Sequence, residues 1–313
     1  MGTQATWRRR QFLKTGAGAG LGAAAMGMPP LNWAAAGAPN RTLRILFYTD
    51  VHTRVEWDTP LALEQAAARM NQEKADLVIA GGDLITDGFQ SSAASVAHRW
   101  DAYMHMHRAI DTEIHPAIGN HDLVAARPED GTEPSADPRR IFRDKMGLEK
   151  TYRSFDAAGT HILFLDGIHV TDNEDKYHGF IEPEQMAWLE ADLSGVAKDT
   201  PVILVTHMPL LTAFYQATRG ATEPAPPNRV MTNGREVLKR FRAHNLLLVL
   251  QGHLHVDELL RWRNTTLITG GAVCAKWWRG NWHGTEEGFG LVTLTPDRVT
   301  WQYIDYGWTA KRP

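Results

Sequence analysis

A chain of 313 residues, 43% hydrophobic and 22% charged, has the length and make-up of an α/β domain with a well-buried core. Its net charge of −3 excludes the clustered basic footprint of a protein devoted to nucleic acid. Cys274 is the single cysteine, which excludes an intrachain disulfide and a thiolate metal cluster and reads as a small buried residue.

The first 36 residues carry Arg8, Arg9, Arg10 and Lys14 and no acid. Arg9-Arg10-Gln11-Phe12-Leu13-Lys14 resembles the twin-arginine export signal, with Arg8 where Ser or Thr is usual. Residues 15–28 form a Gly/Ala stretch too poor in Leu, Ile and Val for a good membrane-spanning helix. Ala34-Ala35-Ala36 supplies the small residues that signal peptidase accepts. The expectation is a twin-arginine-type signal peptide over 1–36 and a single domain over 41–308. The twin-arginine translocase would then export the protein to the periplasm or beyond. No other long apolar run follows, so no stable membrane or nucleic-acid partner is expected.

Beyond the leader, Leu43 to Tyr48 predicts a strand that ends at Asp50-Val51-His52. Residues 60–74 predict a helix, with Leu61, Leu63, Ala66, Ala67 and Met70 as its apolar positions. Leu77 to Ala80 predicts a buried strand entering Gly81-Gly82-Asp83, and 92–110 a second helix. Ile114 to Ile118 runs into Gly119-Asn120-His121-Asp122, and 125–140 reads as a surface loop. Strands at 162–166, 202–205 and 246–250 follow, with a helix over 183–194. Residues 216–229, with Pro224, Pro226 and Pro227, predict a loop beside the site. From 258 onward the spacing predicts an antiparallel meander closing a second sheet. Alternating strands and helices imply βαβ units and a mostly parallel sheet.

Five times an apolar strand ends and Asp, Asn or His follows. The residues are Asp50 with His52, Asp83, Asn120 with His121, His207, and His253 with His255. One such residue is ordinarily a helix cap, a turn residue or a hydrogen-bonded histidine. Five at equivalent strand ends is a different matter, because the ligand crevice of an open α/β sheet lies there. Carboxylate, carboxamide oxygen and imidazole are ligands for Mn, Fe, Zn or similar divalent ions. The glycines at 81, 82, 119 and 252 let the backbone turn and approach closely.

The ordered set Asp-x-His, Gly-Asp, Gly-Asn-His-Asp, His and Gly-His-x-His, from Asp50 to His255, resembles the calcineurin-like metallophosphoesterases. The resemblance implies a four-layer αββα sandwich of two mixed sheets flanked by helices. It also implies two divalent metal ions and hydrolysis of a small-molecule phosphate ester by a metal-bridging hydroxide. By resemblance, Asp50, His52 and His255 hold one ion, Asn120, His207 and His253 the other, and Asp83 bridges them. His121 is then not a ligand but the group over the phosphate, with Asp122 orienting its imidazole. Thr86 stands where purple acid phosphatases have a Tyr ligand, and the stretch after Asp83 lacks the Arg of protein Ser/Thr phosphatases. Asp122 and the Asp87-Gly88 pair look more like the branch containing cyclic-nucleotide phosphodiesterases, so a diesterase is preferred. The alternatives are a phosphomonoesterase, a hydrolase of nucleotide or lipid pyrophosphates, and a non-catalytic scaffold. In a scaffold of this kind one or more ligands or the catalytic His would be missing.

Trp262, Trp277, Trp278, Trp282, Trp301 and Trp308 concentrate in the tail. Trp277 and Trp278 are the candidate substrate contacts, as an aromatic wall. The alternative for both is packing between the sheets.

Overall fold

Strands buried on both faces lose the polar alternation of half-exposed strands and read as continuous apolar runs. The runs that begin at Leu43, Leu77, Thr160, Pro201 and Asn245 do so, and all become central strands. The computed structural model describes residues 42–295 and 298–312, so the twin-arginine-like segment lies outside the described residues.

In chain order the elements are β1 (Leu43–Tyr48), α1 (Thr59–Gln72), β2 (Leu77–Ala80), α2 (Ala93–Ala109), β3 (Ile114–Pro116) and α3 (Arg140–Met146). Then come β4 (Arg153–Ala157), β5 (Thr160–Leu165), β6 (Ile168–Val170), β7 (Tyr177–Gly179), α4 (Pro183–Ser194), β8 (Pro201–Thr206), α5 (Phe214–Arg219) and α6 (Gly234–Arg240). The last are β9 (Asn245–Gln251), β10 (Glu258–Trp262), β11 (Thr265–Thr269), β12 (Gly288–Thr295) and β13 (Arg298–Asp305).

Two large mixed sheets result. One has the order β13-β12-β1-β2-β3 and the other β10-β11-β9-β8-β5-β4. In the first, β1 to β3 run parallel out to the β3 edge, and β12 and β13 continue antiparallel from the other side of β1. In the second sheet β5, β8, β9 and β11 run parallel, flanked by antiparallel β4 and β10.

Side chains alternate between two cores with period 2, as a pleated strand requires. Ile45, Phe47, Ile79, Ile162, Phe164, Ile203 and Val205 share one buried cluster, contributed by both sheets. Their neighbours Leu46, Tyr48, Val78, Leu163, Leu165, Val202 and Leu204 join the helical residues instead. In α2, Ser92 caps the amino end by accepting from the Ser95 N–H, and Val96, Trp100, Tyr103 and Met106 form the buried stripe. In α1, Pro60 occupies the first turn, where a missing N–H costs nothing.

Several expectations are corrected. Leu61 faces solvent, because the buried stripe of α1 runs through Ala62, Leu63, Ala66, Ala67 and Met70. The tail does not close one sheet as a meander. The β10–β11 hairpin extends the second sheet, whereas β12 and β13 return to pair with the free edge of β1. The short α3 sits at the end of the expected loop, and the β6–β7 hairpin has no apolar run to announce it. Among the described residues no helix is long and apolar enough to cross a membrane.

Candidate metal centre

The carboxyl ends of β1, β2, β8 and β9 meet at one point, and each supplies polar residues just beyond its last hydrogen-bonded position. Asp50, His52, Asp83, Asn120, His207, His253 and His255 are all buried there, none more than 5% exposed. Backbone hydrogen bonds tie the strand ends together: Asp50 N–H donates to Gly82 O, His52 N–H to Asp83 O and Gly252 N–H to His207 O. Asp50, His52, Asp83, His253 and His255 have positive φ, between 43° and 72°, a region non-glycine residues rarely occupy. Such strain persists where surrounding structure fixes it, and it clusters at functional sites. A Cβ on Gly119 would lie 2.2 Å from Asp83 Oδ1, and one on Gly252 2.3 Å from Thr49 Oγ1. Only glycine permits those approaches.

The hydrogen bonds set which nitrogen of each imidazole faces inward. His255 Nδ1 is paired with Ala275 O at 2.6 Å, His207 Nδ1 with Gly81 O at 2.9 Å, and His253 Nε2 with Asn228 O at 2.9 Å. A carbonyl accepts only, so each of these nitrogens carries a proton and donates. In the neutral ring the opposite nitrogen is then a bare lone pair: Nε2 of His255 and His207, and Nδ1 of His253. Those lone pairs converge. His52 Nε2 lies 3.0 Å from His255 Nε2, and His253 Nδ1 lies 3.2 Å from His207 Nε2.

Two poles emerge from the distances, with one carboxylate oxygen between them. Asp83 Oδ2 is 3.5 Å from His52 Nε2 and 3.1 Å from His207 Nε2. Asp50 Oδ1 is 3.2 Å from His255 Nε2 and 3.9 Å from His207 Nε2. Asp50 Oδ1 and Asn120 Oδ1 are buried without a hydrogen-bond partner. Burying an unpaired oxygen costs about 1–3 kcal/mol, and more when it is charged. Convergent lone pairs and orphaned oxygens are unfavourable as a protein-only arrangement and suit divalent cations. Groupings of ligand atoms within 4.8 Å of one another include Asp83-His207-His253 and His52-Asp83-His121. The residues present therefore fit a dinuclear divalent centre.

Electrostatics agree. Burial alone raises a carboxyl and lowers an imidazole. Against burial, His255 and His207 hold Asp50 below the ordinary carboxylate range, and His207 and His121 do the same for Asp83. Burial would lower His207, yet Asp83 and Asp50 lift it to about 9. Burial, then His207 and Arg229, push His253 down to about 3, and burial with His121 lowers His52. Burial would lower His255 too, yet Cys274 and Asp50 raise it. The site thus keeps both carboxylates ionised and His52 and His253 neutral, while an arriving cation must displace a proton from His207 and His255.

His121 is half-buried, its ring 4.6 Å from that of His52 in an edge-on arrangement. The Asp87 N–H donates to His121 Nδ1 at 3.0 Å, so in the neutral ring the proton resides on Nε2. Asp122 does not orient this imidazole, which corrects the role that the family resemblance implies for it. Asn120 to Asp122 form a single 3-10 turn, and successive side chains on such a turn diverge. The Asp122 carboxylate instead accepts from the N–H groups of Gly119 at 2.9 Å and Leu84 at 2.8 Å, pinning the loop after β2 to the loop after β3. Burial and the charge of Asp83 raise its carboxyl to about 8, against those donors.

The two candidate tryptophans part company. Trp277 is half-buried, its ring centroid 4.4 Å from that of His255 and 6.0 Å from that of His52. Trp278 is 1% exposed, and its indole N–H donates to His52 O at 3.0 Å. It packs in the core and props up a site residue from behind, with no face open to a substrate.

Sequence reasoning missed two neighbours of the second pole. Tyr177, on β7, lies with its ring 6.3 Å from that of His253. Arg229 places a guanidinium nitrogen 3.4 Å from His253 Nε2. The cluster of prolines before Arg229 signalled the loop beside the site; nothing in the sequence signalled Tyr177.

The family model described as Calcineurin-like phosphoesterase matches residues 43–257. A dimetal phosphatase from Danio rerio is similar in structure, with a TM-score of 0.62, 17% identity, and coverage of 84% of this chain and 96% of that one. A purple acid phosphatase from yellow lupin (Lupinus luteus) seeds gives 0.58 at 17% identity, over 87% of this chain and 53% of that one. GAP50, the anchor in the inner membrane complex of Plasmodium, gives 0.54 at 13% identity, over 85% of each chain. At these identities the likeness is one of fold. No curated protein matches the chain.

Proposed function

The chain belongs to the calcineurin-like phosphoesterases, metal-dependent hydrolases of phosphoric esters, and from that premise we propose that it prefers phosphodiesters bearing an aromatic group. In this reading Asp50, His52 and His255 would hold one divalent ion, Asn120, His207 and His253 the other, and Asp83 would be shared. Bound there, the ions supply Lewis-acid polarisation of the phosphoryl group and a water acidic enough to ionise near neutral pH.

The rest falls to the side chains at the rim. His121, with Nδ1 engaged by the Asp87 N–H, presents Nε2–H as a hydrogen-bond donor to the charge that develops on a departing oxygen. Asp122 keeps that loop in place through the backbone and takes no part in proton transfer. Arg229 sets a cation beside His253, where a non-bridging phosphoryl oxygen can pair with it.

The observation that carries the diester preference is the pair of rings flanking the poles, Trp277 beside His255 and Tyr177 beside His253. A diester brings two organic groups and a single charge, and a rim with apolar faces on both sides and one arginine matches that better than the dianion of a monoester. With Mn²⁺ added, kcat/KM for bis(4-nitrophenyl) phosphate should exceed that for 4-nitrophenyl phosphate. A clear preference for the monoester overturns the reading.

A further inference from the structure

Away from the metal centre the second sheet carries a cleft of about 920 Å³, within the range of small-molecule sites. It opens between α6 and the β10–β11 hairpin. None of the seven candidate ligands, nor His121, lines it. Its floor is apolar: Leu210, Phe241, Leu246 and Leu267 line it and are buried otherwise, with Leu211 and Leu238 continuing the surface. The cleft is lined at one end by Asn245 and Leu246, which open β9, and at the other by Leu210, whose N–H donates to the side-chain oxygen of Gln251 at the close of β9. Seven strand residues span roughly 20 Å.

Charge is distributed unevenly along that length. At the amino end of β9 the register of the strands brings three exposed cations to one level. Lys198 precedes β8, Arg242 precedes β9, and Arg263 lies in the β10–β11 turn. Among the described residues Arg242 and Arg263 take part in no ion pair. Asp199 is the one acid lining the cleft, and Lys239 is already paired with Glu236. Trp262, 60% exposed, stands beside this basic end, where an amphipathic ring is at home between apolar and wet surroundings. The opposite end carries the apolar surface of Leu210 and Leu211, with Arg235, next to the Gly234 that packs on Leu210, as its one lining cation.

We propose that this cleft binds a single-headed anionic amphiphile, one molecule at a time, its head group at Lys198, Arg242 and Arg263 and its alkyl chain along the floor towards Leu211. Charge complementarity selects the occupant: a neutral chain leaves the cations unused, and an inorganic anion leaves the leucine floor exposed to water. Residues 1–36 of the same chain are the wrong occupant, since they carry four basic residues and no acid. The site serves no step of phosphoester hydrolysis and stands independently of the diester reading.

Hexyl, octyl and decyl sulfonate, below their micellar concentrations, are suitable probes because a sulfonate offers no phosphoester bond. Titrated calorimetrically into the metal-loaded protein, they should bind at one site. The Kd should tighten about three- to fourfold for each added methylene that stays in the groove. Reversing the head-group cations, Arg242→Glu with Arg263→Glu, should weaken octyl sulfonate at least about tenfold, the loss of one charge-assisted contact. Both residues are exposed, so the fold should survive, and an unchanged melting curve verifies it. A Kd independent of chain length overturns the proposal, as does binding that inorganic phosphate abolishes and the double variant leaves intact, which belongs to the metal centre. Binding only to vesicles of anionic phospholipid, with none to monomeric sulfonates, overturns it equally.

Discussion

The strand ends that carry the candidate metal ligands, drawn from both sheets, and the cleft beneath α6 on the second sheet are built on opposite principles. At the first, carboxylates and imidazoles are buried with oxygens left unpaired, at strained backbone positions, so that their lone pairs converge. At the second, the floor is leucine and phenylalanine, and the cations stay in water at the rim. Unpaired buried charge is tolerated only where a ligand of opposite charge is implied. Exposed cations over an apolar floor cost little and bind weakly, one contact at a time. A substitution at the first region should therefore act on chemistry by orders of magnitude, and one at the second on affinity alone.

Asp83→Asn tests that contrast most severely. Its carboxylate oxygen lies between the poles, within 3.5 Å of His52 and 3.1 Å of His207. A neutral amide there should cost several kcal/mol of charge stabilisation, a fall in kcat/KM on the order of 10⁴. Steady-state kinetics showing a loss under tenfold would place the charge elsewhere.

His121→Ala should be next in size and should depend on the leaving group. A nitrophenolate departs without help, whereas an alkoxide needs its charge stabilised. For alkyl or nucleoside esters the expected loss is on the order of 10²–10⁴, with little change for activated aryl esters. An equal loss on both classes would assign His121 to phosphoryl charge instead of charge on the departing oxygen. Asp122→Ala should read differently. It leaves backbone N–H groups of two loops unpaired, so chemical denaturation should show a loss of about 1–3 kcal/mol per orphaned group. The ratio of aryl to alkyl turnover should stay put.

Smaller still, and sharper as a comparison, is the adjacent pair Trp277 and Trp278. Trp278→Ala should destabilise the fold by about 3–5 kcal/mol, measured by urea unfolding. Trp277→Ala should leave stability nearly intact and raise KM for an aromatic ester by about 5- to 100-fold, the range for a stacked ring. Equal destabilisation by both substitutions would return Trp277 to the core.

How much of this was legible in the sequence follows from the same contrast. Each metal-centre residue sits at the end of its own apolar run, so local pattern and the strand-end rule of α/β sheets were enough to gather Asp50 through His255 into one site. The strands themselves were readable because burial on both faces leaves unbroken apolar runs. What escaped depended on long-range pairing. The sheet to which β12 belongs is decided by the open edge of β1, some 240 residues earlier in the chain. Trp277 and Trp278 look equivalent in sequence, and the difference between them lies in a partner some 226 residues away: the Trp278 indole N–H donates to His52 O. Asp122 follows His121 directly, which invites a partnership that the 3-10 turn forbids. The cleft was invisible because its residues, scattered from Lys198 to Leu267, share no motif and meet only through strand register.

The central claim is that buried lone pairs at these strand ends exist to hold two divalent cations, and the most direct test is a count. Elemental analysis of the purified protein, dialysed against metal-free buffer after loading with Mn²⁺, should give two ions per chain. The Asp83→Asn variant should retain one or none, and chelation should abolish hydrolysis of the phosphodiester until metal is restored. A protein that turns over its ester fully with no bound metal, or an Asp83→Asn variant that keeps both ions, would contradict the account.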